Sequence, residues 1–259
     1  MAKSVFRAGS GEPMVLIHIG SDPWHKWEPV LPRLTDRFDV LAPTLPGWAG
    51  GPTLNGPASM SMAVDAMETA MDQAGFETAH LVGNSMGGWI AFELARRGRA
   101  RTVLAFSPAG GWNARGRRRL TRFFVWNSRL SALTRPFVPL VMRFASLRRI
   151  MFRLIVERGD QMTRQQAVDL TRDTMKADWP RLLPLITDET VTEYPDLGVP
   201  SLIVWSERDR FTPLKFDGKT WSAAAPHAEF RILPDVGHMP MFDDPTVVAD
   251  TIIEHASAR

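Results

Sequence analysis

Short apolar runs that alternate with helix-patterned segments are the feature that most limits how this chain can fold. Val5 to Ala8, the turn Gly9-Ser10-Gly11 and the run Met14-Val15-Leu16-Ile17 read as a hairpin leading into a buried strand. A helix is expected from about Lys26 to Leu34, followed by a second apolar run, Phe38 to Ala42. Val64, Met67 and Met71 recur at helical spacing in a segment capped at Ser59 or Ser61 and stopped near Gly75. Ala79 to Val82 and Thr102 to Phe106 read as strands on either side of a helix through Ile90 and Leu94, and strand signals return at Pro200 to Trp205 and Ala228 to Leu233. Strands joined by helical crossovers pair in parallel, and a parallel sheet needs helices over both faces. The expected class is therefore α/β.

From about Gly110 to Asp188 the alternation stops and the chain reads as helical. This predicts a core domain made of residues 1–109 and 189–259, with a helical insertion at 110–188. The insertion also carries the charge. Between Gly111 and Gly159 stand twelve Arg, no Lys and one acid, Glu157, giving +11 and leaving −8 for the rest of a chain whose net charge is +3. Such a block suits nucleic acid, an anionic membrane surface or an acidic substrate, or else forms a solvated helical face. The solvated face is the expectation adopted, with no nucleic-acid partner, because no binding motif accompanies the arginines.

Composition removes several chemistries. The chain has no Cys, which excludes disulfides, thiolate catalysis and cysteine-ligated metals. No run approaches the roughly 18 apolar residues of a membrane span, and the start MAKSVFRAGSGEP lacks the apolar centre of a signal peptide. A soluble cytoplasmic protein with no stable membrane insertion is expected. No metal-ligand constellation stands out, and no G-x-G-x-x-G follows a strand, so no metal or cofactor is expected.

Gly83-Asn84-Ser85-Met86-Gly87 fits G-x-S-x-G and falls between a strand and a helix, where a sharp turn would hold a serine hydroxyl clear of the sheet. Side chains at 83 and 87 would collide with backbone in so tight a turn. A serine hydroxyl needs a base, usually a histidine oriented by a carboxylate. Asp209 follows one late strand and His238 the next, in the required order, and parallel strands bring their C-terminal ends to one edge. Glu207, on the same loop as Asp209, is the alternative acid. Trp24, Trp27, Trp48, Trp89 and Trp112 fall on or beside the loops gathered at that edge and are candidates to line an apolar pocket.

With these pieces in order, the sequence resembles the α/β-hydrolase superfamily over nearly its whole length. The resemblance rests on His18-Ile19-Gly20, Leu45-Pro46-Gly47, Gly-Asn-Ser-Met-Gly-Gly at 83–88, the stretch Glu207 to Pro213, and Gly237-His238-Met239-Pro240. It implies a mostly parallel sheet of about seven strands, since the extra first strand of many members has no room here, and a cap domain formed by the insertion. It also implies nucleophile Ser85, acid Asp209, base His238 and an oxyanion hole from the N–H groups of Gly20 and Met86. Members usually have His-Gly where this chain has His18-Ile19, which leaves Ser21 as the alternative to Gly20. Trp24, Trp112 and Met239 are expected to contact a small apolar substrate.

The activity implied is that of a serine carboxylic ester hydrolase acting on small to medium apolar esters without a cofactor. Haloalkane dehalogenases and epoxide hydrolases of the superfamily use an aspartate nucleophile, and the latter also use cap tyrosines, whereas the only tyrosine here is Tyr194. The nearer alternative is a carbon–carbon bond hydrolase of vinylogous diketone acids. It is similar in its Gly-Asn-Ser-Met-Gly-Gly and in a stretch like Pro108-Ala109-Gly110-Gly111, but tends to have Trp where this chain has Met239. A receptor that keeps the triad for ligand sensing is an alternative of a different class.

Overall fold

A computed structural model describes residues 4–18, 20 and 23–258. The strands are β1 (Val5–Ala8), β2 (Glu12–Ile17), β3 (Phe38–Pro43), β4 (Ala79–Asn84), β5 (Ala100–Phe106), β6 (Ser201–Ser206) and β7 (Glu229–Leu233). They form one sheet of seven strands in the order β1-β3-β2-β4-β5-β6-β7, parallel throughout except for β1 against β3. Seven strands match the expectation.

The hairpin does not form. β3 lies between β1 and β2, and β1 pairs with it antiparallel, Val5 opposite Pro43. The link at Gly9 to Gly11 passes beneath the start of β3 so closely that a Cβ on Gly9 would stand 2.2 Å from the Phe38 carbonyl oxygen. Only a glycine link permits that crossing.

Alternation along β2 separates two cores. Val15 and Ile17 face one side with Leu81, Ile90 and Met67, while Met14 and Leu16 face the other with Trp27, Val40 and Val248. Helices α2 (Met60–Ala74) and α3 (Met86–Arg96) cover the first side, and the second is covered by α1 (Leu31–Thr35) and the helix Pro245–Ala256. α2 keeps its expected limits: the Ser59 hydroxyl accepts from Met62 N, and Gly75 closes the helix with φ +77°. The expected helix from Lys26 to Leu34 is instead a 3-10 turn at Trp24–Trp27 followed by α1. Pro29 lacks the N–H that would continue the first turn, so the helix breaks there.

Between β5 and β6 every regular element is helical, beginning with α4 (Ala114–Thr134) and ending at Pro184–Thr187. Leu120, Phe124, Trp179 and Leu182 from this segment join the first core, and Val138, Met142, Phe152 and Val156 join the second, so the segment straddles the sheet edge. Several of its arginines hold backbone carbonyls in place of carboxylates. Arg117 donates to Thr187 O (2.7 Å), Arg119 to Phe211 O (2.6 Å), and Arg148 to Met142 O (2.9 Å) and Asp160 O (3.1 Å). Among the described residues no helix is long and apolar enough to cross a membrane.

Candidate active site

β4 ends at Asn84 and α3 begins at Met86, leaving Ser85 alone to turn the chain. It does so at φ 57°, ψ −118°, a conformation costly for any residue with a Cβ. The turn is tight enough to require glycine on both sides. A Cβ on Gly83 would lie 2.1 Å from Gly87 O, and one on Gly87 would lie 2.1 Å from Ile17 O. Backbone bonds from Ser85 N to Phe106 O (2.8 Å) and from Ala109 N to Ser85 O (2.9 Å) hold the strained residue. Its hydroxyl makes no helix-capping bond. Ser85 therefore does not serve as an ordinary N-cap.

Asp209 and His238 lie beyond the C-terminal ends of β6 and β7 and meet across 2.7 Å, from Nδ1 to Oδ2, with both side chains fully buried. Asp209 Oδ1 accepts from Phe211 N (2.9 Å) and Thr212 N (2.8 Å), and Oδ2 also accepts from Thr212 Oγ1 (2.9 Å). Those donors fix the position of the carboxylate. A proton on Nδ1 shared with the carboxylate leaves the lone pair on Nε2. His238 Nε2 is buried, has no hydrogen-bond partner among the described residues, and shares one cavity with Ser85. Glu207 instead faces solvent, where it accepts from Asp235 N (3.1 Å) and pairs with Arg208 (3.5 Å).

Residues that were not singled out in the sequence support the histidine from behind. Asn84 Nδ2 donates to His238 O (3.0 Å) and Phe106 O (2.9 Å), while its Oδ1 accepts from the buried Lys26 Nζ (3.0 Å). Asp243 accepts from Gly237 N (2.7 Å), Arg158 N (2.7 Å) and Glu157 N (3.1 Å). Burial pushes its carboxyl above the usual range, and those three N–H groups pull it partly back. Asp217 is pushed up to about 6, first by burial and then by the charge of Asp209. The Phe211 ring lies 4.9 Å from the His238 ring. Asp209-x-x-Thr212 has the spacing of a local side-chain-to-backbone turn, the one signal that could have marked Thr212.

The cavity above Ser85 measures about 80 Å³. Its walls include Trp48, Trp112, Leu120, Phe124, Trp179 and Leu182, and no charged side chain is among its described lining. Gly20 and Met86 line it too, and Met86 opens α3, where first-turn N–H groups have no helical partner. Ile19 and Ser21 lie outside the described residues. His18 is buried, and its Nε2 accepts from Leu45 N (2.8 Å), which makes it a loop brace.

Two expected contacts are corrected. Trp24 does not line the cavity: its ring packs 5.0 Å from Phe6 and 4.1 Å from His25 on the second side of the sheet. Met239 is fully buried in the second core, with its N–H donating to Ile155 O (2.8 Å). The backbone that aims His238 into the cavity turns the next side chain away. Trp112 and Trp48 do line the cavity, while Trp89 packs edge-on against Trp112 and Trp27 lies in the second core. Among the described residues no three His, Asp or Glu are grouped to hold a metal ion.

The profile of the alpha/beta hydrolase family matches residues 14–251. The protein named Epoxide hydrolase EphH from Mycobacterium tuberculosis is 30% identical over 201 residues, covering 75% of this chain and 93% of that protein. A 2-hydroxy-6-oxononadienedioate/2-hydroxy-6-oxononatrienedioate hydrolase from Paraburkholderia phymatum is 28% identical over 253 residues, covering 89% of this chain and 82% of the relative. Among solved structures, a thermophilic esterase from Thermogutta terrifontis superposes with a TM-score of 0.72 at 20% identity, covering 96% of this chain and 91% of the other. At that identity the likeness speaks for the fold alone.

Proposed function

The chain belongs to the alpha/beta hydrolase family, and from that premise we propose that it hydrolyses small to medium apolar carboxylic esters with Ser85 as nucleophile, His238 as base and Asp209 as the acid that orients it. The observation that carries this reading is a serine at a strained turn in the same uncharged cavity as a histidine whose Nε2 is free and whose Nδ1 is held by a buried carboxylate. As Ser85 Oγ attacks the carbonyl carbon, His238 Nε2 takes its proton, and Asp209 stabilises the imidazolium. The N–H groups of Gly20 and Met86 meet the oxyanion, each contributing roughly 3 kcal/mol to transition-state stabilisation. The imidazolium then protonates the departing alkoxide. Water, losing a proton to His238, attacks the acyl carbon, and the imidazolium returns that proton to Ser85 Oγ as the acid departs. On this reading residues 110–188 act as a cap that keeps the cavity dry.

The relatives act, by their names, on other bonds, and particular residues weigh against each. Epoxide opening in this superfamily uses an aspartate where this chain has Ser85, and Tyr194 is turned into the core, its hydroxyl donating to Glu93 (2.6 Å). Carbon–carbon hydrolysis of a diketone acid is the second reading, favoured by the dienedioate hydrolase match across most of the chain. Its substrate carries carboxylates, which an uncharged cavity would desolvate without a partner.

The test is to compare kcat/KM for a neutral p-nitrophenyl ester, its carboxylate-bearing analogue, a 2-hydroxy-6-oxodienoate and an aryl epoxide, using wild type and Ser85→Ala. The neutral ester should be preferred, and Ser85→Ala should lose more than about a thousandfold in turnover. Faster cleavage of the dienoate would assign the carbon–carbon reaction instead. Ester turnover unaffected by Ser85→Ala would remove the mechanism.

A further inference from the structure

Ten of the fourteen large apolar side chains exposed among the described residues fall between Phe123 and Met151, inside the segment that carries the twelve arginines. Along α4, Phe123, Trp126, Leu130 and Leu133 follow steps of three and four residues and so form one stripe. Trp126 is 62% exposed and Leu133 71%, and Phe137 and Ile150, in the turns and helix that follow, are 59% and 68% exposed. The opposite side of α4 is already occupied, since Leu120 and Phe124 face the cavity. From Trp126 to Leu133 the stripe is therefore a second apolar face, left largely exposed among the described residues. Arg122, Arg129, Arg135 and Arg143 are exposed around it, and none makes an ion pair among the described residues. The one acid of the block, Glu157, is taken by Arg210.

We propose that the outward surface of Ala114–Phe152 docks peripherally on an anionic lipid bilayer, with the stripe entering the headgroup region and the arginines holding lipid phosphates. Charge selects this occupant. A second copy of the chain would bring two +11 segments together with one acid each, both acids already engaged, whereas an anionic bilayer supplies the missing negative charge. An exposed tryptophan and phenylalanine beside arginines on an amphipathic helix form the pattern that settles in the plane of an interface without spanning it. Nucleic acid offers charge but no use for the apolar stripe. Phe123 belongs to the stripe and also lines the cavity, so the docked surface would adjoin the cavity wall. The proposal does not depend on the reaction assigned to Ser85.

Flotation of the full chain with vesicles of phosphatidylcholine, or of phosphatidylcholine and phosphatidylglycerol in equal amounts, tests it. Binding to the anionic vesicles should exceed binding to the neutral ones by about tenfold or more and weaken as salt rises. Leu133→Ser with Ile150→Ser, and separately Arg129→Gln with Arg135→Gln, should each reduce binding about tenfold while leaving turnover of a soluble ester unchanged. Because the chain has no cysteine, Leu133→Cys accepts a single environment-sensitive dye, which should shift to the blue on anionic vesicles, while the same dye at Glu77→Cys, at the opposite edge of the sheet, should not. No flotation, or equal binding to both vesicles, overturns the proposal. So does a dimer in sedimentation that the Leu133→Ser and Ile150→Ser pair converts to monomer.

Discussion

Two carboxylates on one loop, Glu207 and Asp209, illustrate how two residues of separation decide a role. Asp209 receives two backbone N–H groups, a threonine hydroxyl and the imidazole, while Glu207 reaches water. Asp209→Asn should cost about three to four orders of magnitude in kcat, because an amide leaves the imidazole in the wrong tautomer. Glu207→Gln should stay within about twofold of wild type in the same assay. Asp217 makes a separate statement about stability. Its carboxyl, normally at 3.8, stands at about 6 in the folded chain, so between those values the native state binds a proton that the unfolded state does not. Folding is then penalised increasingly as pH rises through that window, and the full penalty remains above it. Asp217→Asn should therefore raise stability by on the order of 2 kcal/mol at pH 7 and have little effect near pH 4, read from urea midpoints.

Elements whose ends carry local chemistry were legible in the sequence. Ser59 and Gly75 bound α2 as expected, and the glycines at 83 and 87 marked the turn at Ser85. What was not legible depends on contacts remote in sequence. Nothing in Val5 to Ile17 reveals that β3, more than twenty residues later, inserts between two strands that look like a hairpin. Met239 and Trp24 were misplaced because proximity to a motif in sequence says nothing about which side of the backbone a side chain leaves. The support behind His238 was hidden for a related reason. Asn84 sits inside the Ser85 motif, yet its partners are Lys26, Phe106 and the His238 carbonyl. Asp243 joins the loop after β7 to the turn after the helix Ala145–Phe152, and no pattern links residues 157 and 243. Asp243→Ala should strand three N–H groups, destabilise the fold by roughly 3 kcal/mol and lower kcat more than it raises KM.

Across the whole molecule, stability and charge are divided unevenly. β4 is buried along its full length between two cores, whereas α4 and the turns after it expose much of their apolar surface. Hydrogen exchange should accordingly show β4 and β5 opening only with global unfolding, and residues 114–152 exchanging through smaller openings at far lower free energy. Uniform protection across both regions would contradict that division. The Asp243 contacts, together with the bond from Met239 N to Ile155 O, fasten the turn at 155–158 to the loop that carries His238. Ile155 of that turn also lines the cavity, so a ligand that pushes against the turn should displace the loop that holds His238 as well. Esters bulky enough to press on Ile155 should consequently lose more in kcat than they gain in KM, so that bulk on that side of the substrate is felt chiefly as misalignment of His238.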